Sequence, residues 1–182
     1  YSVLAPIRIT LHMLLAFIIL GVLLYLYRLS KGEKDQHCST SKLFNQLIIA
    51  ALGMTLVQVI LGTQVRQFVD EQLESGIVCK ENILSDPEVS FYIHRSFSIA
   101  IFLVNAGIWW LNSRNRLEYQ LPNWILFIIS LEIITGIVMY YFAFPFGSQA
   151  LHLIFASLLF GFQFYLLLQT QQAKTKVSLK FN

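Results

Sequence analysis

Four histidines occur in the 182-residue chain. Three of them, His12, His94 and His152, each stand a few residues inside the start of a separate long apolar stretch. If those stretches are helices running in one direction, the three imidazoles lie at one depth, near one face of a membrane. Ionisable groups are costly in lipid, and their presence there defaults to a functional reading. Imidazole suits iron, and ligation of a heme from both sides takes rings from two facing helices. His94 and His152 are the strongest pair for that chemistry. The competing expectation is a histidine that caps a helix end or bonds to a neighbouring helix. The fourth, His37, lies in the polar run Lys34-Asp35-Gln36-His37-Cys38-Ser39 and reads as a solvated loop residue outside the site.

Two arginines stand near the same depth. Arg95 follows His94, and Arg66 closes the stretch Leu61-Gly62-Thr63-Gln64-Val65-Arg66. A guanidinium fork makes bidentate, charge-assisted bonds to carboxylates, so both are candidates for heme propionates. Snorkelling to lipid headgroups is the alternative, weighed evenly for Arg66 and less for Arg95. Glu132 is the one acid deep in an apolar stretch. It could relay protons or make a structural polar contact, and the contact is the better expectation.

These residues need helices to position them. The chain is 56% hydrophobic and 13% charged, with mean hydropathy +0.62, which excludes an ordinary soluble domain. Its apolar runs approach 20 residues, the length that crosses a hydrocarbon core of roughly 30 Å. Five spans are expected, at 7–27, 44–65, 91–111, 122–143 and 149–169, in an all-α polytopic membrane protein. The first is not a signal peptide, since it ends in Tyr25, Tyr27 and Arg28 without a small-residue cleavage site.

The loops orient the chain. Arg28, Lys31, Lys34 and Lys42, then Arg114 and Arg116, then Lys174, Lys176 and Lys180 fall on one side. The 66–90 connection carries Asp70, Glu71, Glu74, Glu81, Asp86 and Glu88 against Arg66 and Lys80. The positive-inside rule puts the basic segments in the cytoplasm, leaving the N-terminus, the acidic loop and the three histidines at the outer face. Trp109, Trp110, Trp124, Tyr140 and Tyr141 fit an aromatic belt. The net charge of +3 is dispersed, so nucleic acid is not an expected partner, whereas the lipid bilayer is. Cys38 and Cys79 fall on opposite sides and cannot pair within one chain.

The first and last helices repeat each other. Leu11-His12 matches Leu151-His152, followed by Ala16 or Ala156, Gly21 or Gly161, and Tyr25 or Tyr165 at equal offsets. Small residues at these offsets allow close approach of a helix or a flat macrocycle. Gln58 with Gly62 likewise matches Glu132 with Gly136. The repeat divides the chain into 1–28, the last helix of a preceding unit; 29–43, a cytoplasmic loop; 44–170, a four-helix heme-binding bundle with its outer loop at 66–90; and 171–182, a cytoplasmic tail. The expectation is a fragment or processed chain of a duplicated eight-helix protein.

With those residues in order, the chain resembles heme A synthase, the membrane enzyme that oxidises heme O to heme A for terminal oxidases. The resemblance rests on Gln58-Val59-Ile60-Leu61-Gly62-Thr63-Gln64-Val65-Arg66, similar to the family's glycine-x-x-valine-arginine helix end, on Tyr92-Ile93-His94-Arg95, on Glu132-Ile133-Ile134-Thr135-Gly136, and on Leu151-His152-Leu153. It covers nearly all of the chain from residue 44 onward. It implies two four-helix halves, a heme b cofactor held by His94 and His152, and His12 at the substrate heme. Heme O is then the substrate, with heme O synthase, an electron acceptor and a second copy of the chain as candidate partners in the cell (inner, cytoplasmic) membrane. Two departures stand out. Phe91 occupies the offset before His94 at which the family's other half carries its proposed catalytic glutamate, and the outer-loop cysteine pair is reduced to Cys79. The alternatives are a non-enzymatic b-type cytochrome and a heme-free subunit with structural histidines.

Overall fold

The computed structural model describes residues 5–31, 41–76 and 87–180. His37, Cys38 and Cys79, with the expectations attached to them, lie outside these residues. The described residues form five helices and no strand: α1 (Ala5–Lys31), α2 (Lys42–Ser75), α3 (Val89–Arg114), α4 (Leu121–Tyr141) and α5 (Ser148–Lys180). All five contain segments long and apolar enough to cross a membrane. The protein is a multi-pass membrane protein, as its hydropathy predicts.

Two helices outrun their apolar spans. At about 1.5 Å per residue, the 34 residues of α2 measure roughly 51 Å, well beyond a hydrocarbon core of about 30 Å. Its last turns were expected to be loop. They stay helical because Val69 is buried on the inner side, while Arg66–Asp70 and Gln67–Glu71 bond at i,i+4 spacing on the outer side. Gly76 then stops the helix in the left-handed conformation, φ 62°. At the other end of α2, the Ser41 hydroxyl caps the backbone N–H of Phe44. α5 likewise continues to Lys180, past the expected end of its span.

Helices α2 to α5 close a ring in which each packs on its two neighbours, and α1 lies outside it against α2 and α5. The core of the ring is aliphatic, from Phe44, Ile48 and Ala51 on α2, Ile101 and Ile108 on α3, Ile125, Ile128 and Ile129 on α4, and Leu159, Leu166 and Leu167 on α5. Lipid tails are as apolar as these side chains, so packing and hydrogen bonds must hold the helices together. Buried amides and hydroxyls supply the bonds. Thr55 Oγ1 donates to Gln163 Oε1 at 2.9 Å, and Gln163 Nε2 donates to Asn105 Oδ1 at 3.1 Å, linking α2, α5 and α3. Nearer the opposite end from the histidines, Thr170 Oγ1 donates to Asn45 Oδ1 at 2.9 Å. Asn112 clamps the α3–α4 turn by bonding both the carbonyl and the N–H of Tyr119. Trp109 adds a tie across the same turn through Asn123 Oδ1, 2.7 Å away.

The small residues of the repeat serve the α1–α5 contact. A Cβ on Gly21 would lie 3.6 Å from the Phe164 ring, and one on Gly161 would lie 3.7 Å from Leu24. Phe17 packs on Phe160 beside them, with ring centroids 4.9 Å apart. Of the two uses open to these glycines, the structure shows the close helix approach.

Candidate functional site

Periodicity explains how the site residues converge. On α3, His94, Ser98, Ile101 and Asn105 follow at spacings of three and four; on α5, His152, Ala156, Leu159 and Gln163 do the same. Such spacings keep each set on one helix face, turned towards the bundle centre. Each histidine is therefore the outermost member of an inward stripe. Between the stripes lies a cavity of about 460 Å³ lined by residues of every helix. That volume is within the range of cofactor sites, about 300–1,000 Å³. Its walls are mostly aliphatic, including Val59, Ile101, Ile129, Ile133 and Leu159, with Gln58, Arg66, His94, Glu132 and His152 as convergent polar groups.

The His94 and His152 rings face each other with centroids 6.4 Å apart and planes inclined at 63°. Two imidazoles that bind one first-row metal ion from opposite sides, each nitrogen about 2.0–2.1 Å from it, have centroids roughly 6 Å apart. Among the described residues, no cluster of three or more His, Cys, Asp or Glu forms a metal-ion site from protein ligands alone.

Each ring rests on a glycine of the preceding helix, while the polar residue one turn earlier meets the backbone in one case and the ring in the other. Gln58 Nε2 donates to the His94 carbonyl at 3.0 Å, and the bare face of Gly62, one turn on, receives the His94 ring. Glu132 Oε1 lies 3.3 Å from His152 Nε2, and Gly136, one turn on, faces the His152 ring. The matched glycines read from the sequence are thus matched supports for the two imidazoles, whereas Gln58 and Glu132 serve them differently. Glu132 reaches into the cavity and touches His152, which sequence reasoning did not assign.

The supports differ in a hydroxyl as well. The Thr135 hydroxyl donates to the Glu132 carbonyl at 2.9 Å and lies 2.9 Å from His152 Nδ1. His94 Nδ1 is buried without a hydrogen-bond partner, as are Gln58 Oε1 and Glu132 Oε2. Thr135 was visible in the motif before Gly136, yet only the fold reveals what it touches. The one available signal was the contrast with Leu61 at the matching place before Gly62.

The other expected residues fall further out. Arg66 lines the cavity and is bonded through Nε to both Asp70 carboxylate oxygens, at 2.9 and 2.8 Å. Arg95 is exposed and is not among the lining residues. His12 is also exposed, although its neighbours on α1, Ile9 and Met13, line the cavity. The fold therefore brings His94 and His152 together and leaves His12 facing away. Phe91, at the offset of the missing acid, stacks on Tyr140 with centroids 5.4 Å apart.

Comparison with known proteins bears on the same residues. No curated protein and no solved structure matched the chain. The family model COX15-CtaA, described as cytochrome oxidase assembly protein, matches residues 1–164, which include every residue lining the cavity and end within α5. A five-helix membrane protein matched over that length belongs to this family, the heme A synthases, which are oxidoreductases of cytochrome oxidase assembly.

Proposed function

We propose that this chain serves heme A synthesis, the oxidation of the heme O methyl group to the formyl group of heme A, and that helices α2 to α5 hold a heme b cofactor between His94 and His152. The observation that carries the reading is the pair of inward imidazoles across one apolar cavity, 6.4 Å between centroids. Two imidazoles without a third protein ligand suit a metal that brings its own equatorial donors, as heme iron does. The cradles at Gly62 and Gly136 fit a site built around these two rings.

When bound, heme b supplies one-electron transfer, and the protein supplies its ligands, orientation and electrostatics. The aliphatic walls exclude water from the ring. Arg66 at the cavity presents a guanidinium to a carboxylate that would replace or share Asp70, with Arg95 on the neighbouring helix as a second, more distant donor. His12, turned away from this cavity, is assigned to the substrate heme at a separate site. The segments rich in Lys and Arg are assigned to the cytoplasmic side, and the histidine end to the outer side.

A non-enzymatic b-type cytochrome is the second reading. It is favoured, for these helices taken alone, by Phe91 stacked on Tyr140 at the offset where the family's other half carries its proposed acid, which leaves this cavity with the two imidazoles and no acid at that place. Purification from membranes followed by a pyridine hemochrome spectrum tests the shared part. One b-type heme per chain with a bis-imidazole spectrum is expected, and His94→Ala or His152→Ala should each remove it. Finding no heme in the unaltered protein would sink both readings. Membranes that make heme O but lack their own heme A synthase separate the two. Heme A should accumulate with the natural full-length protein and fail to do so with His12→Ala, while heme b content stays unchanged.

A further inference from the structure

The two imidazoles are held unequally: His152 has a carboxyl and a hydroxyl against its ring, and the hydroxyl stands at the nitrogen remote from the carboxyl. Thr135 stands three residues after Glu132 on α4, one helical turn away, and its hydroxyl donates to the Glu132 carbonyl at 2.9 Å. A hydroxyl has one hydrogen to give. With that hydrogen on the carbonyl, the 2.9 Å contact to His152 Nδ1 requires the ring to donate and Thr135 to accept. The contact itself fits either tautomer; with the Thr135 hydrogen kept on the carbonyl, a neutral His152 carries its proton on Nδ1 and its lone pair on Nε2, the nitrogen on the Glu132 side of the ring. No side-chain hydroxyl serves His94, whose ring lies against the Gln58 backbone with Nδ1 making no hydrogen bond among the described residues. The matching place in the repeat is Leu61, which has no polar atom to offer.

We propose that Thr135 is the positioning residue for His152: its hydroxyl selects the Nδ1–H tautomer, fixes the ring plane and makes His152 the firmly held ligand of the pair, with His94 the looser one. This rests on the assignment of the cavity to heme b. A hydrogen bond accepted from the remote N–H of a ligating imidazole fixes its tautomer and raises its basicity, and loss of such a partner typically weakens metal binding about 10–100-fold. The ring also lies against the Glu132 backbone, and Glu132 Oε1 stands 3.3 Å from Nε2. That oxygen faces the coordinating nitrogen rather than the remote one, so it cannot replace Thr135 in this role.

Thr135→Val keeps the shape and removes the hydroxyl, whereas Thr135→Ser keeps the hydroxyl and removes a methyl. The measurements are heme b dissociation from the purified full chain and its midpoint potential, neither of which depends on turnover. Val should speed heme loss about 10–100-fold and raise the potential, since a less basic imidazole favours the ferric state less. Ser should restore both values close to the unaltered protein. If Val matches the unaltered protein in both, or if Ser fails as badly as Val, the positioning role is wrong. Failure of the underlying assignment looks different. In that case the unaltered protein shows no bis-imidazole heme spectrum, or retains its heme in His94→Ala and His152→Ala.

Discussion

A methyl group added at Gly62 would stand 3.2 Å from His94 Cε1, closer than the roughly 3.5–4.0 Å at which carbon atoms pack. The same addition at Gly136 would meet His152 Cε1 at 3.8 Å, an ordinary contact. Gly62→Ala should therefore displace the His94 ring, with an overpacking cost of about 1–3 kcal/mol. On the proposed reading, heme affinity falls roughly tenfold, since each factor of ten is about 1.4 kcal/mol. Gly136→Ala should leave it unchanged. Heme-to-protein ratios after gel filtration check both, and equal behaviour of the two variants counts against the geometry. Arg66 supports a second comparison. Its side chain is 49% exposed and paired with Asp70 at i,i+4, an arrangement worth only about 0.3–0.5 kcal/mol to stability. Arg66→Ala should thus barely change thermal stability while weakening heme retention in part. Arg66→Lys should fall between, because charge remains but the fork is lost. An unchanged heme affinity in Arg66→Ala would assign the side chain to lipid headgroups.

Between helices, the register of the bundle depends on a few buried polar bonds. Gln163 joins α5 to both Thr55 and Asn105, about three turns below the histidines. In a membrane the aliphatic contacts of α5 discriminate weakly between depths, whereas these two bonds are met at one register only. Interhelical bonds of this kind average about 0.6 kcal/mol each, with a maximum near 1.7. Gln163→Leu should lower stability by roughly 1–2 kcal/mol, read from unfolding in detergent mixtures. Its helix content should not change, because the helices themselves do not depend on the amide. A stability equal to that of the unaltered protein would mean that packing alone sets the register. The α1–α5 contact belongs to the same scale. It closes through Gly21 and Gly161, so a bulky residue at Gly21 should loosen α1 without disturbing the four helices around the cavity.

At the scale of the whole molecule, one end of the bundle carries the cavity and the other carries the polar ties of Asn45, Asn112 and Thr170. The proposed orientation puts the cavity end outside and the C-terminus in the cytoplasm. A reporter fused after Asn182 that is active only in the cytoplasm should therefore be active. An active periplasmic-type reporter at the same place would reverse the topology and move the heme site to the inner face.

Span number, all-helical class and the pairing of His94 with His152 were legible in the sequence. Each depends on short-range physics: apolar runs long enough to cross a bilayer, and histidines at one depth on helices that share a direction. The repeat was legible too: Gly62 and Gly136 take up matching places against the two rings, while Gln58 meets the His94 backbone and Glu132 the His152 ring. The far end of α2 was missed, because a polar segment past the apolar run is held helical by Val69 packing and i,i+4 bonds. Only the tertiary structure decided which polar atoms meet. His12 and His152 stand in the same local pattern, yet one is exposed on α1 and the other faces His94, since α1 packs outside the ring. Likewise, nothing local distinguishes Thr135 from any other hydroxyl in an apolar helix. Its contact with His152 Nδ1 exists because α4 and α5 meet at that depth, a long-range condition that a pattern along one chain does not contain.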